Sequence, residues 1–341
     1  MTFQSLSFAE IEALALRALI ASRVSPHNAA HVARSIASAE RDGQPTVGLA
    51  YLPTYCDHAA FGKVDGFTTP VLEQLAPAAI RVDAATGFAH PALALGMPAL
   101  AAAARSNGVA VLSVGNSYAC GSLGYFVEEL AQDGLVALMT ANASPSMAPW
   151  GGSRPFFGTN PLAFAVPRAG RAPLVLDQSS SVVAWVAVND AYQRGVPLPA
   201  GWALDPNGKP TTDAAAGLAG SMMPLGGYKG SGLAMMVDVL SAGLTRSNYS
   251  YRVSSFGSCD GGPTQSGQLV LAFNPQLLGG TQFSAALEDM LLAMQQTPAV
   301  RLPGDRRLSA RAAHRTAVTV PSELVTLLTR YGEHGSPMAK A

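Results

Sequence analysis

Apolar and polar positions along the chain alternate in two distinct rhythms. From Ser7 to about Ser22 the apolar residues recur at helical spacing, and Ser7 with Glu10 three residues later forms a capping box. Ser25-Pro26 opens a second helix, predicted to reach Gly43, with proline in its first turn. A third is predicted from Thr46 to Phe61. There the spacing puts Tyr51, Tyr55 and His58 on one face, as a binding face or as ordinary helix packing. After "GKVDG" the rhythm changes. "AIRVD" (79–83), "VAVLSV" (109–114), "LVALMTA", "PLAFAVP" and "PLVLD" are short apolar or β-branched runs bounded by turn residues, as in buried strands. The Ala-rich helix before Asn107-Gly108 and helices over about 122–133 and 181–194 are interleaved with them, which predicts an α/β layer. Residues 197–229 form a Pro/Gly/Asp-rich excursion. "KGSGLAMMVDVLSAGLTR" is an apolar helix, 247–266 a loop, "QLVLAFNP" a strand and 282–296 an amphipathic helix. "RLPGDRR" is predicted as a loop, and "SELVTLLTRYG" closes the chain with a helix.

Composition narrows the possibilities. With 341 residues the chain is long enough for two domains, or for one large domain with an insertion. Only 13% of residues are charged, against a usual share of about 25%. That scarcity reflects either an Ala-rich composition or surface buried in an oligomer. Basic and acidic residues balance at 22 each with no Lys/Arg cluster, so a nucleic-acid partner is not expected. Cys56, Cys120 and Cys259 are widely spaced, without metal-ligand or disulfide spacing. No signal peptide and no membrane span are expected, and the chain is expected in the cytoplasm.

Several segments carry candidate chemistry. "GGYKGSG" opens a helix at Lys229, which fits an anion or a plain helix cap, but neither it nor "GGSRPFFG" matches a dinucleotide or Walker pattern. "FFGTNPLAF" places Thr159 in a turn before a strand. "LDQSSSVV" sets four polar residues at the C-terminal end of a strand, where α/β sheets bind ligands and where Ser179 to Ser181 could cap a helix. "PGDRR" holds two adjacent arginines behind a glycine turn, suited to a phosphate or simply solvated. His27 and His31, four apart on one helical face, lack a nearby third metal ligand, and no metal is expected.

Taken in order, "SAERDG", "GLAYLPTYCDHAAFGKVDG", "RVDAATGFAHPAL", "FGTNPLAFAVPRAG", "PLGGYKGSGLAMMVDVLSAGLTRSNYS" and "RLPGDRR" resemble the type-2 malate/L-lactate dehydrogenase family of NAD(P)H-dependent oxidoreductases. The nearest branch is that of the Δ1-piperideine-2-carboxylate/Δ1-pyrroline-2-carboxylate reductases, which reduce cyclic ketimines. The resemblance covers about residues 5 to 330. It implies a non-Rossmann α/β fold with a helical N-terminal part, residues 1–85, joined to about 300–341. Between them lies a central cofactor-binding α/β domain, 86–299. It also implies a homodimer with the active site between subunits. Cofactor contacts would come from Tyr118, Ala119, Cys120, Gly121 and Ser122 (of the partner chain), from Asp177, Gln178, Ser179, Ser180 and Ser181, from Tyr228 and Lys229, and from Gly304, Asp305, Arg306 and Arg307. Thr159 would sit beside the substrate. The arginine pair points to NADPH, with NADH possible.

The chain departs from the family where chemistry is expected. The family's Ser-His-Gly, whose histidine is the acid/base, here reads Thr46-Val47-Gly48. The arginine that grips the substrate carboxylate is replaced by Tyr51. Asn-Ser-x-His-Phe reads Asn116-Ser117-Tyr118-Ala119-Cys120, and the ketimine-reductase aspartate falls on Ala187. Reducing a ketone requires a proton for the alkoxide, and a general acid usually contributes about 10²–10⁴-fold. A protonated imine brings its own proton. The expected function is therefore an NADPH-dependent imine reductase with a bulkier or less acidic substrate, its pocket formed by Val47, Tyr51 and Thr159. Tyr118 or Tyr51 would supply the catalytic hydrogen bond. The alternatives are a ketone or activated C=C reductase with a tyrosine acid, or an inactive NADPH-binding homologue.

Overall fold

A computed structural model describes residues 2–339. The N-terminal strand β1 (Phe3–Ser7) leads into α1 (Phe8–Ala21), where Ser7 and Glu10 make the predicted capping box. Helix α2 (Pro26–Arg41) starts behind Ser25 with proline in its first turn. The predicted third helix is shorter than the apolar pattern suggested. Pro45–Val47 and Leu49–Tyr51 are separate 3₁₀ turns, and α3 (Leu52–Phe61) begins only at Leu52, because Pro53 fits only the first turn of an α-helix.

The middle of the chain is built on a sheet. Strands β2 (Val71–Ala76) and β3 (Ala79–Asp83) form a hairpin, and α4 (Ala89–Asn107) crosses to β4 (Val109–Ser117), parallel to β3. There follow α5 (Leu123–Gln132), β5 (Val136–Ala141), β6 (Leu162–Val166) and β7 (Leu174–Gln178). An excursion holds α6 (Trp185–Gln193), α7 (Ala214–Ala219) and a small sheet of β8 (Ala203–Leu204), β9 (Pro210–Thr211) and β10 (Ser221–Met222). Helix α8 (Tyr228–Asp238) runs on into a π-turn at Val239–Gly243. Strand β11 (Ser266–Phe273) then inserts between β4 and β5, antiparallel to both. The order is β2-β3-β4-β11-β5-β6-β7, and β3–β4 is the one parallel pair in this sheet. After α9 (Pro275–Gly279) and α10 (Phe283–Gln295) comes α11 (Asp305–Ala313), where a loop was predicted: Gly304 in the left-handed region turns the chain into a helix that begins at Asp305. Strand β12 (Ala317–Pro321) pairs with β1, and α12 (Ser322–His334) ends the fold.

Two cores result. One lies between α4, α5 and the sheet, with Leu93, Leu100, Leu112, Phe126 and Met139 fully enclosed. The other gathers α1, α2, α3 and α12 around Ile11, Ile36, Leu52 and Tyr55, and takes in Phe88 and Tyr118. The cavity described next lies where residues of the two cores meet.

Candidate active site

The wall nearest the N-terminus is set by a buried carboxylate. Glu40, near the end of α2, accepts the Leu49 N–H at 2.7 Å. Burial raises its pKa, and that N–H opposes the shift. A Cβ on Gly48 would overlap the Glu40 carboxylate, so glycine is needed where the two 3₁₀ turns meet. Held in this way, Thr46, Val47 and Tyr51 face a cavity of about 300 Å³. Ala119, Cys120 and Gly121, just beyond β4, form a second side. Thr159 and Asn142, at the ends of β5 and β6, form a third with Gln268 of β11. Trp185 and Val186 of α6 and the loop 255–257 complete the lining. That loop is pinned by the buried Lys63, whose ammonium donates to the Ser258 carbonyl (2.9 Å) and to that of Asp260.

Among the described residues no lining side chain of the cavity belongs to Asp, Glu, Lys, Arg or His. Its ionisable groups are Tyr51, Tyr55 and Cys120. Burial pushes both phenols above their ordinary range and the thiol up to about 12. All three are therefore neutral around pH 7. The volume lies at the lower end of the usual ligand-pocket range, about 300–1,000 Å³.

Val47, Tyr51 and Thr159, named from the sequence as pocket residues, are thus brought together, with Ala119, Cys120 and Gly121 of the same chain beside them. Tyr118 stands apart from them. It is fully buried and is not part of the cavity wall. Its ring packs edge-on against Phe88 and Phe256, and its hydroxyl hydrogen-bonds to His58 Nδ1. It sits behind Tyr51 and Tyr55 as part of the helical core, because both its ring and its hydroxyl are already matched there. Burial, and next the Lys63 ammonium, lower the His58 pKa to about 4, so the imidazole is neutral.

A second groove, about 330 Å³, is lined by Gln44, Ser122, Asp177, Gln178, Gly304, Arg306 and Arg307. Its charges are largely spoken for. Asp177 accepts the Gly124 N–H (2.7 Å) and the Ser122 hydroxyl (3.0 Å), so its carboxylate caps the positive end of α5. Burial nevertheless raises its pKa. Arg307 does not present a cation to a ligand as expected. It makes a two-pronged bond to Glu128 (2.9 and 3.0 Å) and is 8% exposed. Arg311 shares the same Glu128 (2.8 and 2.6 Å) and also binds Asp42. Two arginines and two carboxylates close on themselves, joining the end of α2, α5 and α11. Asp305 accepts the Leu302 N–H (2.9 Å) and shapes the turn before α11. Among the described residues Arg306 has neither a hydrogen-bond nor an ion-pair partner, and it is exposed at the groove.

The serine run is also internal. Ser180 donates to the Asn160 carbonyl and Ser181 to that of Val183 (both 2.6 Å), while Ser179 donates to the Ser181 carbonyl (3.0 Å). They do not cap the following helix, which starts at Trp185 behind Ala184. Tyr228 and Lys229 begin α8 as expected, but they are exposed and lie outside both cavities. His27 and His31 meet edge to face. The described residues hold no cluster of three or more metal-binding side chains. Sequence reasoning missed Gln268, Glu128, Arg311 and Lys63. A glutamine opening the apolar run "QLVLAF" was the available signal for the first.

This α/β fold, with an apolar cavity beside a groove lined by Gly124, Gly304 and the unpaired Arg306, fits the class of small-molecule oxidoreductases. Residues 6–329 match the malate/L-lactate dehydrogenase family, and the chain belongs to it. It is 43% identical over 326 residues (96% of this chain, 97% of the relative) to a (2R)-3-sulfolactate dehydrogenase (NADP(+)) of Chromohalobacter salexigens. It is 40% identical over 311 residues (91% and 90%) to a Δ1-pyrroline-2-carboxylate/Δ1-piperideine-2-carboxylate reductase of Pseudomonas syringae pv. tomato. The crystal structure of Δ1-piperideine-2-carboxylate reductase from Pseudomonas syringae pv. tomato superposes with a TM-score of 0.91 at 38% identity, covering 96% of this chain and 99% of that one.

Proposed function

We propose that the protein is an NADPH-dependent reductase of a C=N substrate, a cyclic imine bulkier or less acidic than a 2-carboxylate. The observation that carries this reading is the cavity wall without a cation or an ionisable acid of ordinary pKa. A 2-keto acid would require both a partner for its carboxylate and a proton for its oxygen. An iminium requires neither. Val47 and the Tyr51 ring instead offer apolar and aromatic surface to a ring-shaped substrate.

The residues present fit a reduced nicotinamide dinucleotide. Arg306, unpaired at the groove beside the Gly304 turn, suits a 2′-phosphate. Gln44, Gln178 and Ser122 supply polar contacts there, and Ala119, Cys120 and Gly121 border the apolar cavity. When bound, the reduced cofactor supplies hydride to the C=N carbon. The chain's own part is to orient the electrophile against Tyr51, Thr159 and Trp185 and to exclude water.

Tyr51 favours one further reading. Its side chain lines the cavity, so a ketone reductase using this phenol as acid is the alternative, in line with the sulfolactate dehydrogenase relative. A second copy of the chain is the proposed partner. Low charge and the exposed Met235, Met236, Val239 and Leu244 along α8 and its extension support a homodimer, measurable by sedimentation. The deciding experiment follows NADPH oxidation with cyclic imines, 2-keto acids and uncharged ketones. Imine turnover well above the others is expected. Preferred turnover of a keto acid would overturn the reading, and turnover of none, without NADPH binding, would favour an inactive homologue.

A further inference from the structure

Gln268 is 1% exposed and lines the cavity. Its amide nitrogen donates to the Tyr118 carbonyl at 3.0 Å. A carbonyl only accepts, so this bond fixes which end of the amide is nitrogen and sets Oε1 on the other side. Among the described residues Oε1 has no hydrogen-bond partner. Folded proteins rarely leave a buried acceptor unmet.

The surroundings hold this acceptor in place. The β11–β4 register shifts between Ser266 and Gln268, a bulge of the kind that re-aims side chains beside active sites. Gly267 fits there because a Cβ would collide with the Ser241 carbonyl. Its N–H donates to Asn142 Oδ1 (2.9 Å), and the Asn142 amide donates to buried Asp238 (3.2 Å) and to the Asn248 carbonyl (2.7 Å). Asp238 is tied in turn to Ser250. The strand end that carries Gln268 is therefore braced by a satisfied network, while Gln268 Oε1 alone of its polar atoms is left over.

We propose that Gln268 Oε1 accepts the N–H of the substrate's protonated C=N, and that this contact makes the enzyme select an imine over a carbonyl. The proposal rests on the imine-reductase reading above. An iminium presents a charged N–H to the oxygen, and a hydrogen bond from a charged donor is stronger than one from a neutral donor. A ketone presents only lone pairs, which repel it. No proton moves at Gln268. The C=N carbon takes hydride from the reduced nicotinamide, the π pair becomes the nitrogen lone pair, and the N–H already present stays on the neutral amine. The competing N–H donor is the nicotinamide carboxamide, and the test separates the two.

The full-length chain is assayed with NADPH against an uncharged six-membered cyclic imine and against cyclohexanone. Two variants are compared. Gln268→Met removes both the acceptor and the bond to Tyr118; Gln268→Glu removes the amide donor but keeps an acceptor. Gln268→Met is expected to lower kcat/KM for the imine roughly 10- to 100-fold, the scale of one hydrogen bond to a charged group, with turnover of cyclohexanone raised, since the repelling lone pairs are gone, and NADPH binding unchanged. Gln268→Glu is expected to stay within a few-fold of wild type on the imine. Equal losses in both variants, or equal losses on both substrates, would mean a structural role and overturn the proposal. So would weaker NADPH binding in Gln268→Met with imine turnover intact. Absence of imine turnover by the wild-type enzyme would remove the underlying reading instead, and the proposal with it.

Discussion

Two regions border each other here and treat charge in opposite ways. The cavity holds Val47, Tyr51, Thr159 and Trp185 and, among the described residues, has no charged group on its wall. The adjoining ion cluster packs Arg307, Arg311, Glu128 and Asp42 into a buried network that also walls the second groove. Arginines that the sequence set in a row are separated by function: Arg307 ties helices together, while Arg306, one residue earlier, remains open to a ligand. Side-chain charge becomes chemistry only where it has not already been neutralised by the fold.

The comparison is broken most severely at Glu128. Glu128→Ala leaves the buried Arg307 and the partly buried Arg311 short of a partner and is expected to cost about 3–5 kcal/mol, read from chemical denaturation. The pH dependence follows from the same contact. Burial works against the Glu128 carboxylate, but the Arg311 and Arg307 guanidiniums outweigh it, and its pKa is lowered. Its stabilising contribution is therefore complete above the unfolded-state pKa, roughly 4.3, and is lost as pH falls through the lower folded value. Wild type is expected to lose stability below about pH 4, and Glu128→Ala to lack that component.

The next largest effect puts charge into the uncharged region. Val47→His with Tyr51→Arg introduces a proton donor and a carboxylate partner on the cavity wall. Turnover of 2-keto acids is expected to rise about 10²-fold or more, with imine turnover unchanged or lower. If keto-acid turnover stays flat, the absence of these groups is not what sets the substrate. A smaller effect separates the two arginines. Arg306→Ala is expected to weaken NADPH binding roughly 10- to 100-fold and NADH binding little, while stability stays within about 0.5 kcal/mol. Equal weakening of both cofactors in fluorescence titrations would place Arg306 away from the 2′-phosphate.

Much of this layout is written in local pattern. Ser7 with Glu10 and Ser25 with Pro26 gave the first two helices, because caps act over three or four residues. The buried runs gave β3 to β7 for the same reason. The pattern could not place β11 between β4 and β5, since that pairing joins residues more than 120 positions apart. It could not separate Arg306 from Arg307, whose partner Glu128 lies 179 residues away. Val47, Tyr51 and Thr159 were named through resemblance. Gln268 was missed because neither spacing nor resemblance shows which buried acceptor lacks a donor.

Tyr118 and Tyr51 make the finest test of what separates a reactive group from a packed one. Both are tyrosines in an apolar setting, yet Tyr51 lines the cavity and Tyr118 lies behind it, bonded to His58. Tyr118→Phe keeps the ring contacts with Phe88 and Phe256 but strips the partner from His58 Nδ1. An unmet buried nitrogen costs about 1–3 kcal/mol, so Tm is expected to fall by a few degrees. Turnover of an imine is expected to change less than about fivefold, because an iminium requires no acid and this hydroxyl does not face the cavity, whereas a lost general acid would cost 10²-fold or more. A loss of that size in kcat with Tm preserved would move Tyr118 from the core into the chemistry, and with it the proton that imine reduction was argued not to require.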